Sequence, residues 1–223
     1  MYKANLLIKN YVMYSEILEN QKEGAILHSE KLKKYKNSNS VVLVVPKGGV
    51  PDGYTIAKNL ELPFDIVLSK IIGHPSNKES AIGAVSLDAT LLDDHPNVPQ
   101  DYIGKEIVRL QNTLRGKYKL YRGNRKLIVL KDKNVILVDD GIATGSTLLA
   151  SIEMLRKQHL TKIIVAVPVS PYDKTPVFEK RTDEFVYLIA SKHFSSVGRF
   201  HEDFQQVKDD EVIQILQVTY LIA

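Results

Sequence analysis

The chain has 223 residues, 44% hydrophobic and 25% charged, with 12 Gly and 9 Pro, a composition that suits a single ordinary globular domain over 1–223 rather than a disordered or fibrous segment. It has no cysteine, which excludes disulfides, a thiol nucleophile and any Cys-ligated metal, and no apolar run approaches the roughly 20 residues that span a bilayer. The net charge of +4 is unevenly placed: segment 105–133 holds ten Lys/Arg against Glu106 and Asp132, a local excess of +8 that leaves −4 for the remainder.

Such a block attracts anions, either phosphorylated small molecules or nucleic acid, unless it is only the solvated face of a helix. The first ten residues hold too short an apolar stretch for a secretory signal, so the expected location is cytoplasmic.

Residues 11–36 read as helical, with Asn37-Ser38-Asn39-Ser40 as the break. Val41-Val42-Leu43-Val44-Val45 is a continuous β-branched run of the kind buried on both faces of a sheet. Pro46-Lys47-Gly48-Gly49 ends it, residues 50–60 form the next helix, and residues 64–72 form a second strand. A loop at 73–78 precedes a strand at 81–87, and the Asp/Pro/Asn-rich stretch 93–100 is irregular. Residues 101–121 have helical spacing in Ile103, Ile107, Leu110, Leu114 and Tyr118. Strand 135–138, helix 146–157, strand 162–167 and strand 184–190 follow, and Asp209-Asp210 opens a last helix running to 216. Strands alternating with helices imply a parallel α/β sheet, whose ligands sit at the carboxyl ends of the strands. The loops after Val45 and Val138 both lie at such ends.

The second of these loops is Asp139-Asp140-Gly141-Ile142-Ala143-Thr144-Gly145-Ser146-Thr147. Two acids stand where a buried strand emerges, glycines permit a tight turn, and three hydroxyls precede a helix whose free N–H groups and positive dipole end favour a phosphate. The carboxylates repel phosphate but accept well from vicinal sugar hydroxyls. The string therefore asks for a ligand with a phosphate at one end and a diol at the other, as in ribose 5-phosphate. A strand–turn–helix with a simple cap needs only one acid and one hydroxyl. The loop holds no lysine, as a Walker A loop requires, and no Gly-x-Gly-x-x-Gly is present.

Residues 135–147 resemble the 5-phosphoribosyl-1-pyrophosphate (PRPP) motif of type I phosphoribosyltransferases. The resemblance implies that family's parallel sheet flanked by helices, with a flap and a small hood. It also implies that Asp139 and Asp140 hold the ribose hydroxyls and act in catalysis, and that Gly141 and 142–147 hold the 5′-phosphate. Lys47-Gly48-Gly49 resembles the family's pyrophosphate loop; glycines let backbone amides approach an anion and Lys47 adds a charge. Residues 69–85 are similar to a branch known only as predicted phosphoribosyltransferases; by that resemblance Gly73, His74 and Pro75 belong to the flap, Lys70 or His74 reaches pyrophosphate, and Lys70 joins the catalytic candidates. Arg122 is a further candidate for that clamp. In 194–204 the branch's Val-Gly-x-x-x-Glu-Asp-Phe pattern recurs, which makes 191–207 the hood, with an N-terminal contribution, and Phe194, Val197, Glu202 and Asp203 the acceptor-side residues. Ser195 occupies the place of the purine enzymes' stacking aromatic, with Phe194 one place earlier.

The implied reaction is phosphoribosyl transfer from PRPP to a nitrogenous acceptor such as a nucleobase, within nucleotide metabolism. Mg2+ would be held mainly through ligand oxygens, with Asp139 and Asp140 as the protein's candidate contacts. A homodimer is the family expectation. The competing reading is a PRPP- or nucleotide-sensing regulator that binds RNA or DNA through 105–133, with Tyr118 and Tyr121 stacking on bases. No separate nucleic-acid module is evident to support it.

Overall fold

The run 41–45 forms β2 (Ser40–Val44), and every one of its residues is buried. The computed structural model describes residues 17–87, 89–93, 97–123 and 127–220. Beside β2 lie β3 (Phe64–Ile66) on one side and β7 (Asn134–Val138) on the other, followed by β8 (Lys162–Pro171) and β9 (Glu184–Ser191). All are parallel, in the order β3-β2-β7-β8-β9.

Period-two alternation sends successive residues to opposite faces, and both faces are covered. Val42, Val44, Ile136, Val138, Ile164 and Ala166 pack beneath α1 (Gln21–Lys31), α2 (Gly49–Leu60), α3 (Gln100–Arg122) and α6 (Asp209–Tyr220). Val41, Leu43, Val135, Leu137, Ile163 and Val165 face α4 (Ser146–Arg156) and α5 (Thr175–Arg181), which contribute Leu148, Ile152, Leu155 and Phe178.

The stretch 64–72, expected as one strand, is two. The chain leaves the main sheet after Ile66, and Ser69 Oγ lies 2.8 Å from Ser151 Oγ on α4. It then enters a second sheet as β4 (Lys70–His74). β4 pairs antiparallel with β5 (Asn77–Val85), and β5 with β6 (Thr90–Leu92). The expected loop at 73–78 is thus the tip of a hairpin turning at Pro75-Ser76. Ala84 of this sheet packs on Ala150 and Met154, so α4 is gripped between both sheets.

The N-terminal helix also starts later than its pattern suggests; residues 11–16 lie outside the described part. Asn20 is extended and its Oδ1 accepts from the amide of Glu23, an N-cap that begins α1 at Gln21. β1 (Leu18–Asn20) pairs with β10 (His201–Asp203), which joins the N-terminal segment to the region expected as the hood.

His28 anchors α1 to the sheet: its buried Nε2 donates to the carbonyl of Val167, 3.1 Å away. Burial, and then the charge of Lys31, lower its pKa from 6.5 to about 4. The folded state therefore holds His28 neutral while the unfolded chain takes up a proton below pH 6.5. This contribution to stability is complete above that pH and is lost as pH falls towards 4, on the order of 3 kcal/mol in all. Thermal unfolding at pH 7 and pH 4.5 tests this. The wild type loses more stability between the two than His28→Gln, and equal losses would show that His28 does not titrate with folding.

Candidate active site

In-register pairing places Val44 beside Val138 and Val138 beside Ala166, so the loops leaving β2 and β7 emerge side by side at the carboxyl end of the sheet. The amide of Val45 donates to the carbonyl of Val138 at 3.0 Å, which continues the pairing to the mouth of both loops. The Pro46–Lys47 peptide is cis. A Cβ on Gly48 would overlap the Asp140 carboxylate, and one on Gly49 would stand 2.8 Å from the Val138 carbonyl oxygen and 2.9 Å from Asp139 Cα. The Lys47-Gly48-Gly49 turn therefore lies directly against the two acids.

Asp139 and Asp140 follow the last residue of β7 and leave strand geometry together. The amide of Asp140 donates to Asp139 Oδ1 at 3.0 Å. Gly141, at φ +154°, then turns the chain under Val197, whose side chain occupies the space a Cβ would need. Gly145, at φ +78°, precedes α4 and lies against the Phe178 ring, so a side chain there would be both strained and blocked. Between the glycines, Ala143 and Thr144 are exposed, as is Thr147, and Ser146 is half-buried. Among the described residues the amides of Ala143, Thr144 and Gly145 have no hydrogen-bond partner, while that of Ser146 makes a long 3.4 Å bond to Thr144 Oγ1. This is an open, amide-rich turn at a helix N-terminus, suited to an anion. Ile142 does not belong to it: its side chain is buried in the core and its amide donates to the Val169 carbonyl at 2.8 Å.

Burial raises the pKa of Asp139 well above the ordinary carboxylate range, and the neighbouring Asp140 adds to the effect. Burial also raises Asp140. A third acid, Asp52 on α2, is 1% exposed, and neither of its carboxyl oxygens has a hydrogen-bond partner among the described residues. Burial and then the proximity of Asp140 push it up strongly. Sequence reasoning passed over Asp52. The available signal was an acid on the buried face of α2 that also carries Gly49, Ile56 and Leu60.

The other expected residues lie at varying distances from this centre. Lys47 Nζ is 3.9 Å from Asp209 Oδ1 at the start of α6, where both side chains are part-exposed. Lys70 opens β4, and His74 Nδ1 accepts from the amide of Ser76, so His74 shapes the hairpin turn. Arg122 is not part of a pyrophosphate clamp; it is buried and ion-paired to Asp65 at 2.8 Å. Phe194 stacks on Phe200, which leaves at most one ring face for a ligand. Glu202 and Asp203 are exposed neighbours on β10, and strand alternation allows only one of them to turn to a given side. Tyr121 is 3% exposed, with its hydroxyl donating to Asp209, and Tyr118 packs against the core and Arg122, so this pair is no base-stacking platform.

The family model of the phosphoribosyl transferase domain matches residues 13–205. The chain belongs to this family. Proteins from two strains of Mycobacterium tuberculosis, CDC 1551 and H37Rv, provisionally named phosphoribosyl transferases, are 31% identical over 197 residues, which is 84% of this chain and 44% of theirs. The chain thus spans less than half the length of the curated relatives it matches. The crystal structure of TT1426 from Thermus thermophilus superposes with a TM-score of 0.83 at 31% identity, covering 90% of this chain and 97% of that one. The parallel sheet flanked by helices is accordingly the phosphoribosyl transferase architecture. No helix among the described residues is long and apolar enough to cross a membrane.

Proposed function

We propose that this phosphoribosyl transferase domain binds PRPP and transfers its 5-phosphoribosyl group to a nitrogen nucleophile, releasing pyrophosphate. The observation that carries the reading is the direct packing of the Gly48-Gly49 turn against Asp139 and Asp140. That packing supports a reading in which a diphosphate lies beside a diol, with the open turn 143–147 beyond for a terminal phosphate. Asp139 and Asp140 accept from the ribose 2′- and 3′-hydroxyls. The amides of Ala143, Thr144 and Gly145 and the hydroxyls of Thr144, Ser146 and Thr147 hold the 5′-phosphate. Lys47, released from Asp209, reaches the diphosphate with Lys70.

In the reaction the ribose C1–O bond breaks and its electron pair leaves with pyrophosphate. The acceptor nitrogen then bonds C1 and gives its proton to water or to the departing pyrophosphate. Positive charge builds on the ribose as the bond breaks and favours the ionised form of Asp139 and Asp140 beside it, offsetting the burial that raises both, while the cations and amides at Gly48-Gly49 stabilise the leaving group. In this reading Val197, packed over Gly141, and the hairpin at Gly73, His74 and Pro75 exclude water.

Mg2+ fits this site as a partly ligated ion. The available donors are hard carboxylate oxygens crowded enough to favour a cation, but no group of three acids or histidines among the described residues is arranged to hold one. Asp139 and Asp140 would contribute contacts and ligand oxygens would complete the shell. When bound, the ion offsets charge on the departing diphosphate.

Calorimetric titration with PRPP and Mg2+, for wild type and Asp139→Asn/Asp140→Asn, tests the proposal. The double variant is expected to lose at least ten-fold in affinity while staying folded, and unchanged binding would overturn the reading. Pyrophosphate release with a panel of nucleobases then identifies the acceptor.

A further inference from the structure

The hairpin made by β4 and β5 is gripped at its base and tied at its tip. Ile72, Ile82 and Val85 are buried and Ala84 packs on α4, whereas Pro75, Ser76, Asn77 and Lys78 at the tip are exposed. The register breaks on either side of Gly73, which pairs with Ala81 while Ile72 pairs with Gly83 and His74 with Asn77. The two backbones approach so closely there that a Cβ on Gly73 would stand 2.4 Å from the Lys78 carbonyl oxygen. Such breaks turn backbone groups out of a regular ladder.

Tyr102, in the first turn of α3, meets the hairpin at this break. Its hydroxyl donates to the Gly73 carbonyl at 2.6 Å and accepts from Lys78 Nζ at 2.5 Å. The same ammonium lies 4.6 Å from the centroid of the Tyr102 ring. One hydroxyl, acting as donor and acceptor, therefore bridges both strands of the tip to α3. The ring packs against the main core, so the anchor is fixed, while the exposed tip belongs to the part of the fold that opens most easily.

The bridge also joins two walls of a cavity of about 610 Å³ beside the proposed site. Gly73 and Lys78 line it from the hairpin, Glu106 and Arg109 from α3, and Val45 and Thr147 from the loops of the site. Tyr102 does not line it. We propose that Tyr102 is a positioning residue that latches the hairpin tip to α3, and that ligand reaches the site when this latch opens. The proposal rests on the PRPP reading only for the identity of that ligand.

Tyr102→Phe removes the hydroxyl and keeps the ring, so it tests the latch without emptying the core. Hydrogen exchange of the amides from Gly73 to Lys78 in the free protein is expected to quicken by roughly two- to ten-fold, the worth of one hydrogen bond, with β7 unchanged. Equal exchange in the two proteins would overturn the latch, as would a matching rise in β7, which would mean general unfolding. The chain has no cysteine, so Val45→Cys reports access to the cavity through its rate of reaction with a thiol reagent. That rate is expected to rise by the same factor when Tyr102→Phe is added, and an unchanged rate would overturn the gate. For PRPP with Mg2+, association and dissociation rates are expected to rise together in Tyr102→Phe, leaving Kd within two-fold. A rise in dissociation alone would make Tyr102 a ligand contact and overturn its role as a latch. If the wild type binds no PRPP, the PRPP reading fails, while the exchange and thiol measurements still decide the gate.

Discussion

Replacing Asp65 with Ala is expected to destabilise the domain by about 3–5 kcal/mol, the usual cost of breaking a buried ion pair by removing one partner. Asp65 is 2% exposed on β3 and Arg122 is 3% exposed in the last turn of α3. Arg122 Nη2 bonds Asp65 Oδ2 at 2.8 Å, while Asp65 Oδ1 accepts from the amide of Ile66, also at 2.8 Å. The pair joins an edge strand to the last turn of α3. Urea unfolding reads the effect as a lower midpoint at an unchanged slope. A loss below about 1 kcal/mol would mean that the guanidinium finds water or another partner at little cost. Asp65→Leu/Arg122→Met is expected to recover most of the stability, because an apolar pair of similar volume in a buried site avoids the desolvation of both charges.

The same pair shows what sequence reasoning can and cannot reach. Strands β2, β7 and β8 were legible because burial on both faces demands a continuous apolar run, and few other structures do. The division between β3 and β4 was not, since an apolar run does not record where a chain changes sheets. The only mark is Ser69, whose significance comes from its bond to Ser151 on a distant helix. In the site, Asp139, Asp140 and the turn around Gly145 were legible because their chemistry is contiguous in sequence. Ile142 lies inside that stretch, yet the loop, held by the bond from its amide to the Val169 carbonyl, turns it into the core. Charge counting located the basic block, but only three-dimensional packing separates its members. Arg122 is consumed by Asp65, Lys105 pairs with Asp101, and Arg109 and Lys117 line a cavity between α3 and β4. Asp52 was missed for the opposite reason: it is a single acid on an apolar helix face, and its relation to Asp140 arises only when the two loops meet.

That meeting makes Gly48 a sensitive position in the proposed site. Its backbone, at φ −55° and ψ −42°, is ordinary right-handed geometry open to any residue. The need for glycine is therefore steric alone, and the conflict is with the side chain of Asp140 rather than with backbone. Gly48→Ala is expected to push the Asp140 carboxylate out of place and leave the fold intact, because the displaced group faces an open site. Losing one charge-assisted hydrogen bond to the ligand corresponds to about 1.5–3 kcal/mol, or roughly 10- to 100-fold in PRPP affinity. Gly49→Ala differs in kind: the obstacle is the Val138 carbonyl and the Asp139 backbone at the centre of the sheet, which cannot rotate away. It is expected to lower stability by about 1–3 kcal/mol through overpacking. Thermal unfolding and PRPP titration of the two variants separate these effects. Wild-type PRPP affinity in Gly48→Ala would mean that Asp140 does not hold the ligand, and the site would then need a different diol acceptor.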